Sequence, residues 1–227
     1  MGNQKNSGMR TKAEIRGVIF DLDGVIVSTD EYHYQAWQKL ADEEGIYFDR
    51  HINERLRGVS RMESLEILLE RAKKHYGGAE KAAFAERKNA CYRALLKNIT
   101  PQDMLPGALE LLNALRAGKI KIATGSSSKN TPGILAAIGL SSFFDAISDG
   151  NNIAKSKPDP EVFLKAAQML GLDPKHCLVV EDAAAGVEAA LAAGMRVLAV
   201  GFASSDPRAT LRAKDLSAVT AAQVLNA

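Results

Sequence analysis

Four apolar or glycine positions, Gly17 to Phe20, run without a polar break and end in "DLDG", which sets Asp21 and Asp23 one residue apart. Such a run bounded by charge predicts a strand buried on both faces, as in a parallel sheet. The pattern then changes for about seventy residues. Tyr34, Trp37, Leu40 and Ala41 recur at helical spacing up to Gly45. Ser60 and Glu63 have capping-box spacing ahead of an apolar stripe of Leu65, Leu68, Leu69 and Ala72, and Gly77-Gly78 is expected to end that helix. "EKAAFAERKNACYRALLKNI" predicts a third amphipathic helix.

From Met104 onward helical stretches alternate with short β-rich ones: "KIKIATGS", "FFDAIS", "CLVVED" and "RVLAVG", separated by helices near 107–117, after Lys129, at 161–170 and at 184–193. Alternating strand and helix predicts an α/β fold, a Rossmann-like doubly wound parallel sheet with helices on both faces. The helices of 29–100 form a small cap inserted after the first strand. The expected division is a core of 14–28 and 101–227, a cap of 29–100, and a disordered lead-in over 1–13.

Composition narrows the function classes. Lys and Arg number 29 against 27 Asp and Glu, a net charge of +2, without a long basic run. That balance speaks against nucleic acid or an anionic membrane as partner. The two cysteines, Cys91 and Cys177, lack metal-ligand spacing, and a reducing compartment suits them. With no apolar run of membrane-span length and a polar start, the expectation is a cytoplasmic protein, and a monomer because no apolar stripe is left unexplained.

In doubly wound sheets ligands bind beyond the carboxyl ends of the strands. Those ends carry Asp21 and Asp23, then Ser126, then Lys157 in "SKPDP", and finally Glu181 and Asp182. The set suits phosphoryl transfer. Carboxylates hold a hard cation such as Mg²⁺, an aspartate can attack phosphorus, and an ammonium neutralises the incoming phosphate. Asp23 can serve as acid and base. Ser126, and Ser127 in the same "GSSSKN" turn, can hold phosphoryl oxygens at a helix start. Against this stand plainer readings: strand-end aspartates, a turn lysine, an N-cap serine, and Glu181 in a purely structural role. Arg61 at a helix start opposes the dipole there, which favours an anion-binding role over a surface ion pair. Lys88 lies on a charged helix face, and His33, Trp37, His51, His75 and His176 read as structural or solvent-facing.

"DLDGVI", "ATGSSSKN", "SKPDPEVF" and "VVEDAAAG", in that order, resemble the four motifs of haloacid dehalogenase-superfamily phosphotransferases. "DLDGVIVSTDEYHYQAW", "NERLRGVSRMESL" and "AERKN" narrow the resemblance to the β-phosphoglucomutase family. It implies Asp21 as nucleophile and Asp23 as acid/base. It implies Ser126 and Lys157 as phosphate ligands, and one Mg²⁺ on Asp21, Asp182 and the Asp23 carbonyl, with Glu181 beside them. In the cap it implies Arg61 on a distal phosphate, Ser64, Lys88 and Asn89 orienting the sugar phosphate, and Thr29 and His33 near the hinge. Val27-Ser28 and Ala183 depart from the family's usual Thr-Asp and Ser. The implied activity converts β-glucose 1-phosphate to glucose 6-phosphate through an aspartyl-phosphate and a 1,6-bisphosphate. A sugar-phosphate phosphatase and a non-catalytic sugar-phosphate binder are the alternatives.

Overall fold

A computed structural model describes residues 13–227; the expected lead-in lies almost wholly outside the described residues. Strand β1 (Gly17–Phe20) is the centre of a six-stranded sheet with β2 (Lys121–Gly125), β3 (Ala146–Ser148), β4 (Cys177–Glu181), β5 (Arg196–Ala199) and β6 (Leu211–Arg212), in the order β3-β2-β1-β4-β5-β6. Every pairing is parallel. The α/β expectation is borne out. The register sets the central strand ends level with one another: Phe20 pairs with Thr124 on one side and Val180 on the other. The chain therefore leaves three neighbouring strands at the same edge, through Asp21, Ser126 and Glu181-Asp182.

Alternation of side chains along each strand makes two cores. Val18, Phe20, Ile122, Leu178 and Val180 face α5 (Ala108–Ala117), α6 (Thr131–Ala137) and α9 (Ala221–Leu225). Ile19, Ala123, Val179 and Val197 face α7 (Glu161–Leu170) and α8 (Ala184–Ala192). Each core helix shows its apolar stripe inward, as Leu111, Leu112 and Leu115 do on α5.

Between β1 and α5 lie α1 (Asp30–Glu44), α2 (Arg50–Glu54), α3 (Arg61–Leu69) and α4 (Gly78–Leu95). They share a third apolar cluster of Trp37, Leu40, Leu65, Leu68 and Phe84, separate from the sheet. Ser60 caps α3: it accepts from the Glu63 amide at 3.2 Å, and its own amide donates to the Glu63 carboxylate at 2.8 Å. One boundary differs from the expectation. Helix α3 stops at Leu69, and Gly77 is the N-cap of α4 rather than the end of α3. The Gly77 amide donates to Glu80 at 2.8 Å, and Tyr76 packs its ring 4.8 Å from Phe84, so the glycines serve the following helix.

Candidate active site

Asp21 follows β1 with 5 % of its surface exposed, and Lys157 reaches it from the loop before α7. Lys157 Nζ donates to Asp21 Oδ1 at 2.8 Å and to Glu181 Oε2 at 3.0 Å, all three groups being buried. Burial alone would drive the ammonium toward neutrality, but the two carboxylates outweigh it and raise the Lys157 pKa. Lys157 is therefore a fixed cation at the strand ends, not an exposed turn lysine.

One ammonium does not balance this cluster. Asp21, Glu181 and Asp182 each offer a carboxylate oxygen, all within 4.8 Å of one another and all buried. Burial first, then the charges of Asp21 and Asp23, raise the Asp182 carboxyl to about 8. Glu181 is raised as well, by burial and then by Asp21. Asp182 meets no hydrogen-bond donor among the described residues. A buried carboxylate without a donor, inside an all-oxygen set with surplus negative charge, fits a hard divalent cation. Gly24, at φ +83°, brings the backbone so close that a side chain there would overlap the Asp182 carboxylate. Gly186 leaves room for Glu181 in the same way.

Asp23 is turned away from that set. The Thr29 amide donates to its Oδ1 at 2.5 Å and the Thr29 hydroxyl to its Oδ2 at 2.6 Å, while Tyr92 donates to the Thr29 hydroxyl at 2.9 Å. Burial, outweighing those hydrogen bonds and reinforced by Asp21 and Asp30, raises the Asp23 carboxyl to about 6. Two aspartates with one residue between them thus occupy different environments, one beside an ammonium and one bonded to the Thr29 amide and hydroxyl.

The charged-face reading of Lys88 does not hold. Its side chain on α4 is 2 % exposed, over the rings of Trp37 and Tyr92, with Nζ 2.7 Å from His33 Nδ1. Burial, then repulsion from Arg61, pulls its pKa down to about 7. As an ammonium it donates to Nδ1, which leaves the ring proton on Nε2, 3.9 Å from Asp23 Oδ2. Burial and the neighbouring cations hold His33 well below its ordinary pKa, so the ring is neutral. A lysine with a folded pKa near 7 and an unfolded value near ~10.4 costs stability in full below ~7, a cost that fades as pH rises to the unfolded value. Lys88→Met is therefore expected to raise the melting temperature at about pH 6, by a stabilisation of roughly 4 kcal/mol, and to leave it nearly unchanged above about pH 10. A gain equal at both pH values in thermal unfolding would contradict the buried-cation account.

Arg61 begins α3 with its side chain 26 % exposed, and Glu86 is its ion-pair partner only at 3.9 Å. Its guanidinium lines a cleft of about 1330 Å³ together with Ser64, Asn89, Lys88, Ser126 and Asp21. Ser126 is buried and accepts from the Ser128 amide at 3.2 Å. Ser127 donates to the Gly58 carbonyl at 3.3 Å, and Asn130 donates to Asn89 Oδ1 at 3.1 Å. Every candidate from both parts of the chain thus borders one cleft or, as with Glu181 and Thr29, holds a residue that does. His51 and His75 are exposed and His176 bonds the Glu14 carbonyl, all away from it. Sequence reasoning missed Tyr92, Asn130 and Arg57. For Arg57, its place in "RGVSR" four residues before Arg61 was a usable signal.

The comparisons with known proteins show the family. The haloacid dehalogenase-like hydrolase family model matches residues 15–194. A β-phosphoglucomutase of Bacillus subtilis is 48% identical over 82% of this chain and 84% of its own. This chain belongs to the β-phosphoglucomutase family of the haloacid dehalogenase superfamily. It is an enzyme, and the crystal structure of a β-phosphoglucomutase from Clostridium difficile matches it with a TM-score of 0.89 at 40% identity, over 93% of this chain and 96% of that one. The superfamily also holds hydrolases: a phosphorylated carbohydrates phosphatase of Thermotoga maritima is 30% identical over 93% of this chain and 97% of its own. Among the described residues no helix is long and apolar enough to cross a membrane.

Proposed function

We propose that the protein isomerises β-glucose 1-phosphate to glucose 6-phosphate by two phosphoryl transfers through Asp21. One observation carries the choice of a mutase over a phosphatase. The Arg61 guanidinium stands over the cleft with no carboxylate nearer than 3.9 Å, a grip for the phosphate that is not being transferred. A hydrolase acting on one phosphate has no use for a second anion site.

In this reading the phosphoryl group starts on Asp21. The 6-hydroxyl oxygen of the sugar bonds to phosphorus as the Asp21–phosphorus bond breaks, and Asp23 takes the hydroxyl proton. The β-glucose 1,6-bisphosphate turns over, so that Arg61 then holds the 6-phosphate. Asp21 attacks the 1-phosphoryl group, and Asp23 returns its proton to the departing C1 oxygen. Thr29, with Tyr92 behind it, holds Asp23 in place, and neutral His33 braced by Lys88 faces it from α1. Ser126, Ser127 and Lys157 bind transferring phosphoryl oxygens, and Ser64, Lys88 and Asn89 border the sugar. Asp21, Asp182 and the Asp23 carbonyl would hold Mg²⁺, which neutralises charge on the phosphoryl group when bound. Glu181 acts through Lys157. The residues of 29–100 are the cap, those of 14–28 and 101–227 the core, and the partner is a small sugar phosphate met by a cytoplasmic monomer.

The test supplies β-glucose 1-phosphate, Mg²⁺ and a trace of the 1,6-bisphosphate, and tracks glucose 6-phosphate and free phosphate together. The expected result is isomer formed at least ~100-fold faster than phosphate, because a closed cleft must favour a sugar hydroxyl over water. Phosphate outpacing isomer would make the protein a phosphatase, as its Thermotoga relative is named.

A further inference from the structure

Phe202, just after β5, is 65 % exposed on the core. It is not bare. The Arg57 guanidinium, from the turn between α2 and α3, lies 3.8 Å from its ring centroid. Arg57 is held for that contact by Asp30, which accepts from Nη2 at 2.7 Å, while its Nε is buried without a partner. The next residue, Gly58, touches the core twice more. Its carbonyl accepts from Ser127 at 3.3 Å, and a Cβ on it would stand 3.2 Å from the Ala183 methyl. With φ +74°, Gly58 suits both the turn and the close approach. The small residue at 183, where the family usually has serine, thus meets the cap as well as the acidic cluster.

From these contacts we infer that Arg57-Gly58 is a clasp, closed onto Phe202, that keeps water from the phosphorylated Asp21 while the sugar turns over. Phe202 is a positioning residue in this account, and the inference rests on the mutase reading above. The side reaction it suppresses is simple. A water oxygen bonds to phosphorus, the Asp21–phosphorus bond breaks with its electron pair returning to the carboxylate, and a water proton passes to Asp23. Isomerisation needs the cleft to close for two transfers in each cycle, whereas hydrolysis needs one water, so weaker closure shifts the ratio toward phosphate.

The experiment compares the full chain with Phe202→Ala and Phe202→Tyr, the second keeping an aromatic face. In Phe202→Ala the free phosphate released per glucose 6-phosphate formed is expected to rise about fivefold, the size expected for one partly exposed cation–π contact. Phe202→Tyr is expected to stay within about twofold of wild type. Amide hydrogen exchange over residues 55–60 is expected to quicken in Phe202→Ala alone. An unchanged product ratio in Phe202→Ala overturns the water-excluding role. Unchanged exchange overturns the clasp whatever reaction the protein performs. A wild type that makes no glucose 6-phosphate overturns the mutase reading, and the exchange measurement then still decides the clasp.

Discussion

Asp21→Asn is expected to lower turnover of every phosphate ester by about four orders of magnitude or more, while sugar-phosphate binding survives. The amide matches the carboxylate in shape and keeps an oxygen to accept from Lys157, which sits 2.8 Å from Asp21 Oδ1. It has lost the charge that makes the oxygen a nucleophile. Binding is expected to hold or tighten, since the variant removes one negative charge from a cluster that must meet a phosphate dianion. Titration calorimetry with glucose 6-phosphate reads the binding, and steady-state kinetics reads the turnover. An intact-mass spectrum completes the test: wild type incubated with the 1,6-bisphosphate gains a phosphoryl adduct and the variant gains none. Turnover within tenfold of wild type would mean that water attacks the substrate directly. A non-catalytic binder, by contrast, would show no turnover in the wild type either.

The route from sequence to this site was short where local pattern and chemistry coincide. Gly17 to Phe20 must be a buried strand, and parallel register with β2 and β4 then carries Asp21, Ser126, Glu181 and Asp182 to one edge. Lys157 was legible as a residue type but not as a buried group, because its two partners lie 136 and 24 residues away. The same holds for Lys88. Its neighbours on α4 are charged, and nothing within a turn of it signals that His33, 55 residues earlier, will cover its ammonium. The pairs Tyr92–Thr29 and Arg57–Phe202 are equally non-local. Short elements escaped for a different reason. Helices α2 and α9 have five residues each and β6 has two, too few for a period to repeat. Gly77-Gly78 misled because a glycine pair interrupts a helix from either side, and only the Glu80 bond to the Gly77 amide fixes which.

Lys157→Met is the substitution expected to damage both fold and function. The ammonium is 1 % exposed between Asp21 and Glu181, and its removal leaves two buried carboxylates facing each other with Asp182 beside them. Breaking a buried pair at one partner costs about 3–5 kcal/mol, which in a chain of this length is a fall in melting temperature of ~10 °C. Turnover is expected to fall with it, because the ammonium that offsets the transferring phosphoryl group beside Asp21 is gone. The two losses can be separated. In Lys157→Met with Glu181→Gln one of the opposed charges is gone, and stability is expected to recover by more than the sum of the single effects predicts, with a coupling of about 1–3 kcal/mol. Activity is not expected to return, since the ammonium beside Asp21 is still missing. Additive stabilities in that cycle would mean that Lys157 and Glu181 do not share one charge balance, and the same balance is what fits the acidic cluster to a divalent cation.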